Sequence, residues 1–183
     1  RVGEQVGEAV LQALENAEAS DARPIERSPI RATGVDVRLP VKSTPGVDLL
    51  RDRRRELGEL VERLDADGQH VAHDSVRRDR QYVDELLAIA RWDVSELQAY
   101  LPYVEVGSVG ILGMPGEVFV EHGRALKDAA GVEHLVPVGY ANGYVGYVPP
   151  LAELENVGYE VRTAKIAPEA VVSFLDAAET LLE

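Results

Sequence analysis

Apolar residues recur along this chain in two rhythms, and the switches between them divide it into elements. Val2, Val6, Ala9, Val10, Ala13, Leu14 and Ala17 fall three or four positions apart, the period of an amphipathic helix over about residues 2–18. The run Ser20-Asp21-Ala22-Arg23-Pro24 ends it. Val35, Val37, Leu39 and Val41 then alternate with Asp36, Arg38, Pro40 and Lys42, which predicts a half-buried strand. Pro40 and Pro45 cannot donate ladder hydrogen bonds, so they push this strand to a sheet edge or an early stop.

Residues 46–92 return to the helical rhythm. Leu49, Leu50, Leu57, Leu60, Val61 and Leu64 form one stripe, closed by Asp67-Gly68. Val76, Tyr82, Val83, Leu86, Leu87, Ile89 and Ala90 form a second. This predicts an αα-hairpin covering one face of a sheet. From Leu97 to Leu112 alternation resumes, with Gly107-Ser108 as a hairpin turn. Pro115-Gly116 breaks the second strand, and Val118, Phe119, His122, Ala125 and Leu126 continue as a helix. His134–Gly139 is a short apolar run of the kind found in buried strands. Leu151–Glu155 reads as a short helix, Tyr159–Ile166 as extended, and Pro168–Leu182 as a helix opened by its proline. Strands alternating with helices, plus one hairpin, predict an α/β fold: a mixed sheet with flanking helices and an αα-hairpin, in one domain over residues 1–183.

Composition narrows the partners. The net charge of −13 and pI near 4.7 argue against nucleic acid and against an anionic membrane surface. There is no cysteine, which removes disulfides, thiolate catalysis and cysteine-type zinc sites. No apolar stretch is long enough for a transmembrane segment, and no signal peptide is visible. A soluble protein is expected, cytoplasmic or secreted. The chain opens at Arg1 inside helical periodicity, so a fragment of something larger is expected.

Charged and aromatic side chains then offer candidates. Arg51, Arg53, Arg54 and Arg55, with Arg77, Arg78 and Arg80, stand among acidic neighbours, the pattern of solvated helix faces. His70 and His73 are three apart at the hairpin turn, without a third metal ligand beside them. Glu117 follows Pro-Gly at a predicted helix start, where an acid ordinarily complements the helix dipole. A chemical role for it needs partners. Four tyrosines, at 140, 144, 147 and 159, crowd the loops after the next strand. In a parallel β-α-β unit, the interval from position 117 to position 147 returns the chain to a neighbouring strand end, where α/β proteins assemble sites. Tyr140 reads as a rim aromatic. Arg162, just past Tyr159, reads first as half of a surface ion pair, the alternative being that it holds Glu117 or Glu160 in place.

The stretch from Gly113 to Thr163 resembles the neutral, non-lysosomal ceramidase family and its bacterial and archaeal relatives. The turn Pro115-Gly116-Glu117 resembles one motif of that family, Gly123, Arg124 and Leu126 a second, Gly139, Asn142, Tyr144 and Tyr147 a third, and Tyr159-Glu160 a fourth. Gly139 through Tyr159 aligns without a gap. The resemblance implies a zinc-dependent amidohydrolase that cleaves an N-acyl amide of a small or lipid-like molecule. In it, Glu117 and Tyr147 would be zinc ligands, and Tyr159 would donate a hydrogen bond to the scissile carbonyl oxygen. Two histidine ligands and a serine-bearing motif of the family lie upstream of this segment. His122 and His134 stand at non-ligand positions. By the resemblance the chain is the C-terminal part of a larger catalytic domain from a small microbial relative, lacking the immunoglobulin-like domain of true ceramidases. An isolated chain would be inactive, and self-association through the face left by the missing N-terminal half is expected. The alternative is a non-catalytic structural or interaction module of the same ancestry. An acidic binding protein for a basic ligand is a third, resting on net charge alone.

Overall fold

The computed structural model describes residues 1–19, 28–68, 70–156 and 158–183. Its elements run α1 (Val2–Ala19), β1 (Ile30–Pro40), α2 (Val47–Ala66), α3 (His70–Ala90), β2 (Glu96–Val106), β3 (Val109–Gly113), β4 (Glu117–Val118), α4 (Val120–Ala129), β5 (His134–Val138), β6 (Tyr147–Val148), a 3-10 turn (Leu151–Glu153), α5 (Tyr159–Thr163) and α6 (Pro168–Leu182). The expected α/β class, mixed sheet and αα-hairpin are all present. The breaker run placed at 20–24 lies outside the described residues.

Four strands form one sheet in the order β1-β2-β3-β5, and β4 pairs with β6 beside it. The neighbours β1, β2 and β3 are antiparallel, whereas β3 and β5 are parallel. The long β1 ends at Pro40 on the sheet edge, where a missing N–H costs no ladder bond. Its alternation sets the register, pairing Leu39 with Leu97, Val37 with Ala99 and Val35 with Leu101 on one face. Val106 pairs with Val109 across the predicted turn, with Gly107 at φ 60°, a conformation that favours glycine.

On that face lies the main core. Leu39, Leu101, Leu112, Leu126, Val148 and Phe174 are almost wholly removed from water. The helix α6 presents Ala170, Phe174 and Ala178 at four-residue spacing, with Val171, Leu181 and Leu182 beside them. Each fully buried Leu or Phe stabilises the fold by roughly 1.5–3 kcal/mol.

Several expectations are corrected here. The hairpin does not supply the layer over this sheet. Leu50, Leu57, Val83, Leu86 and Leu87 form a separate small core, because α6 already fills the space over β1 and β2. The strand β5 is an edge rather than a buried strand, with Leu135 inside and His134, Val136 and Val138 exposed. Tyr159–Thr163 is helical where extended chain was expected. Leu151–Glu153 makes a 3-10 turn in place of a short helix through Glu155. Glu117 and Val118 form a strand, so α4 begins only at Val120. The opposite sheet face carries Tyr100, Ile111, Val136 and Val138 in the open, and Val2, Val6, Val10, Leu11 and Leu14 of α1 are likewise exposed.

The packing yields a direct test. Phe174→Ala, at a site with no exposure, is expected to cost ~3–5 kcal/mol in urea unfolding. Val172→Ala, at an exposed site on the same helix, is expected to cost less than ~0.5 kcal/mol. Equal losses at the two positions would contradict the placement of α6 over the sheet.

Candidate functional site

The site forms where the Pro115-Gly116-Glu117 turn meets the tyrosine loop. Five backbone hydrogen bonds tie the two segments. Met114 N–H donates to Val138, Ala141 N–H to Met114, Tyr140 N–H to Gly116, Val145 N–H to Pro115 and Glu117 N–H to Gly146, at 2.8–3.1 Å. Gly116 is required by this lacing, since a Cβ there would stand 2.7 Å from the Gly146 carbonyl oxygen. Gly146 holds φ at 88°, in the region that disfavours side chains. The outcome is a parallel pair in which Glu117 sits opposite Tyr147.

Glu117 is therefore not a helix cap. The cap position of α4 belongs to Phe119, which makes no side-chain capping bond. Instead the Tyr144 hydroxyl donates to Glu117 Oε1 at 2.5 Å. Tyr140 stacks on Tyr144, centroids 6.0 Å apart and planes at 10°, and Tyr159 meets Tyr147 edge-on at the same separation. Only Tyr144 reaches full hydrogen-bond geometry with the carboxylate. The hydroxyls of Tyr140 and Tyr147 act on it from looser positions.

Electrostatics follow from this crowd of donors. The Tyr140 and Tyr144 hydroxyls, and more weakly Tyr147 and the Lys165 ammonium, hold the Glu117 carboxyl below its ordinary range, against an opposing effect of burial. Reciprocally, donating its hydroxyl hydrogen bond to the carboxylate pushes the Tyr144 phenol up to about 12. The carboxylate's hold on the Tyr147 hydroxyl raises that phenol as well, with smaller contributions from burial and charge. The site is thus one anion among phenols held protonated at 140, 144 and 147, with the Lys165 ammonium within electrostatic reach. Because the Glu117 carboxyl is depressed on folding, its contribution to stability is present above the ordinary carboxylate range and is lost as pH falls through the folded value.

The group opens on a cleft of about 330 Å³. Glu117, Tyr144, Tyr147, Tyr159, Thr163 and Lys165 line one side, and Glu85, Ala88, Ile89 and Trp92 from the end of α3 and the turn after it line the other. A second hollow, of about 320 Å³, continues past Tyr159 and Thr163 toward Tyr82 and Arg162. A larger groove of about 650 Å³ lies on the hairpin among Arg51, Arg54, Arg55, Arg80 and Arg91. It is wide and of mixed charge, with Arg54 paired to Asp84, and no tyrosine lines it.

The structure thus brings together Glu117, Tyr147 and Tyr159, the three residues singled out in the sequence. It does not bring histidines to them. His122 is buried on α4, its ring lowered in pKa by burial and its Nε2 without a hydrogen-bond partner. His134 is exposed beside Glu133. His73 is buried in the hairpin with Nε2 3.0 Å from Asp65 but out of line for a hydrogen bond. The side chain of His70 lies outside the described residues. Among the described residues no group of three or more His, Cys, Asp or Glu could hold a metal ion. One carboxylate and one phenol fit two positions of a zinc shell and leave the rest to be supplied. Arg162 pairs with Asp79 at 2.8 Å and covers the Tyr82 ring, so it braces α5 against the hairpin and does not hold Glu117.

Sequence reasoning passed over Tyr144 as a direct partner of Glu117, and Lys165 and Trp92 altogether. The available signal was scarcity, since the chain has one tryptophan and few lysines, but nothing local placed either at the cleft.

No family model matches the chain, and no curated protein matches it. Among solved structures, a neutral ceramidase from Pseudomonas aeruginosa is similar at 29% identity over 46% of this chain, with a TM-score of 0.38. A ceramidase complexed with C2 is similar at the same identity and coverage, with a TM-score of 0.40. The chain spans 15% of the length of each. The likeness is loose and touches less than half of this chain. No helix among the described residues is long and apolar enough to cross a membrane.

Glu117→Gln keeps the acceptor and removes the charge. It is expected to bring the Tyr144 phenol down from about 12 toward the ordinary value near ~10, read as the alkaline absorbance of tyrosinate in wild type and variant. An unchanged titration would show that the carboxylate is not what holds this phenol protonated.

Proposed function

We propose that this chain carries part of the active site of a zinc-dependent amidohydrolase that cleaves N-acyl amides, and that it is the C-terminal part of a larger catalytic domain. The observation that carries the reading is the parallel pairing of Glu117 with Tyr147 at a cleft that Tyr159 also lines. The resemblance of residues 113–163 to ceramidase motifs supports it independently. Glu117 and Tyr147 would hold two positions on the metal, and histidines from another segment would complete the shell. Zinc, when bound, supplies the Lewis acidity that polarises an amide carbonyl and activates water. A cation there would offset the hold of the Glu117 carboxylate on the Tyr147 hydroxyl. Tyr159, whose side chain is exposed at the rim, would donate to the carbonyl oxygen and stabilise the charge that develops there.

A second reading is favoured by a specific observation. Glu117 is already satisfied by phenols, as it would be in a non-catalytic module that kept the loops for packing. That reading expects no metal with any partner segment. The test is zinc content and amidase activity of the protein produced with its histidine-bearing segment. One zinc per chain is expected, with zinc binding weakened at least ~10-fold by Glu117→Ala or Tyr147→Phe. Tyr159→Phe is expected to keep the zinc and lower turnover by ~10²–10³. Zinc and activity unaltered by Tyr147→Phe would remove the residue assignment.

A further inference from the structure

The cleft contains a cation that the hydrolase reading leaves unused. Lys165 follows α5, and its backbone is pinned. Its carbonyl accepts from Lys42 N–H at 2.9 Å, and Val41 bridges to the adjacent Ile166. Its aliphatic stem lies against Gly146, where a Cβ would meet it at 3.2–3.6 Å. Held in this way, its ammonium stands 4.7 Å from the centroid of the Tyr144 ring and 5.9 Å from that of Trp92. Ring faces attract a cation but accept none of its hydrogen bonds in full. Among the described residues Lys165 Nζ makes no hydrogen bond and no ion pair, in a chain of net charge −13. The Glu117 carboxylate acts on it electrostatically, without a direct ion pair. An ammonium with three donors and no protein acceptor leaves all three to water or to a ligand.

Opposite it, Ala88 and Ile89 are apolar, and Glu85 stands on the same wall with its Oε2 buried and without a hydrogen-bond partner. One side of the cleft thus suits a hydrocarbon, another suits a reacting carbonyl, and the Lys165 corner suits an anion.

We propose that Lys165 is a specificity residue that binds a carboxylate on the substrate, so that the cleft takes anionic N-acyl amides of the N-acyl amino acid type in preference to neutral N-acyl alcohols. The inference rests on the amide reading for the identity of the substrate, and on the placement of Lys165 for the charge. A carboxylate there completes the ammonium with charge-assisted hydrogen bonds, which are about twice as strong as neutral ones. An alcohol in its place leaves the ammonium to water.

The single tryptophan lines this cleft, so its fluorescence reports binding to the chain as it stands, in metal-free buffer. N-decanoylglycine and N-decanoylethanolamine share chain and amide and differ in carboxylate against alcohol. Wild type is expected to bind the glycine conjugate at least ~10-fold tighter. Lys165→Met is expected to reduce that preference to under ~2-fold, and Lys165→Arg to keep most of it. Equal affinities in the wild type, no binding of either compound, or a preference that survives in Lys165→Met overturns the assignment. Decanoate, which has the carboxylate and chain without the amide, separates the two readings. If it binds as tightly as N-decanoylglycine while Lys165→Met abolishes both, the anion site stands and the amide reading loses its support.

Discussion

Every feature of the site depends on the contact between two backbone turns, the one at Pro115–Glu117 and the one at Val145–Tyr147. Glu117 N–H and the Gly146 carbonyl are joined directly, and Val145 returns a bond to Pro115. Such an approach leaves no room for a side chain at Gly116 and demands positive φ at Gly146. The close approach is sustained by what lies beneath. Val145 and Val148 are buried in the main core with Met114 and Leu112, so hydrophobic burial holds the turns together while their polar side chains face outward. Core packing therefore fixes the positions of Glu117 and Tyr147, and the tyrosine hydroxyls tune their charges.

Attachment of the αα-hairpin is of a different kind. It carries its own small core and reaches the rest of the molecule through polar contacts around Tyr82. There Arg162 and Lys42 approach one ring, Arg162 pairs with Asp79, and Lys42 Nζ donates to the Arg162 carbonyl at 2.6 Å. Burial depresses the Lys42 ammonium, partly offset by Glu85. Because α3 ends at the cleft, this junction sets how closely Ile89 and Trp92 approach the tyrosines. The shape of the cleft depends on a polar joint, whereas its floor depends on the hydrophobic core.

Much of the fold was legible because its signals are local. Alternation from Val35 to Leu39 fixed a strand and its inner face, two leucine stripes fixed the hairpin, and Gly107 marked a turn that needs positive φ. The interval between Glu117 and Tyr147 foretold a strand-end meeting because parallel crossovers have a minimum length. Short elements were misread for the same reason that long ones were not. Two residues of β4 and five of α5 carry no period, and Tyr159, Val161 and Thr163 alternate as a strand would although their chain turns helically after Gly158. The hairpin was placed over the sheet because nothing in its own sequence says that α6 occupies that face. Lys165 and Trp92 reach the cleft only through tertiary contacts with Gly146 and α3, which no window of sequence contains.

What unites fold and chemistry is the claim that Glu117 and Tyr147 ligate one ion. X-ray absorption at the zinc edge tests this most directly, on the chain assembled with the proposed histidine-bearing segment and loaded with zinc. Wild type should show nitrogen and oxygen scatterers at ~2.0–2.2 Å, and Tyr147→Phe should lose one oxygen from that shell. A first shell identical in the two proteins, or a zinc shell built without either side chain, would contradict it.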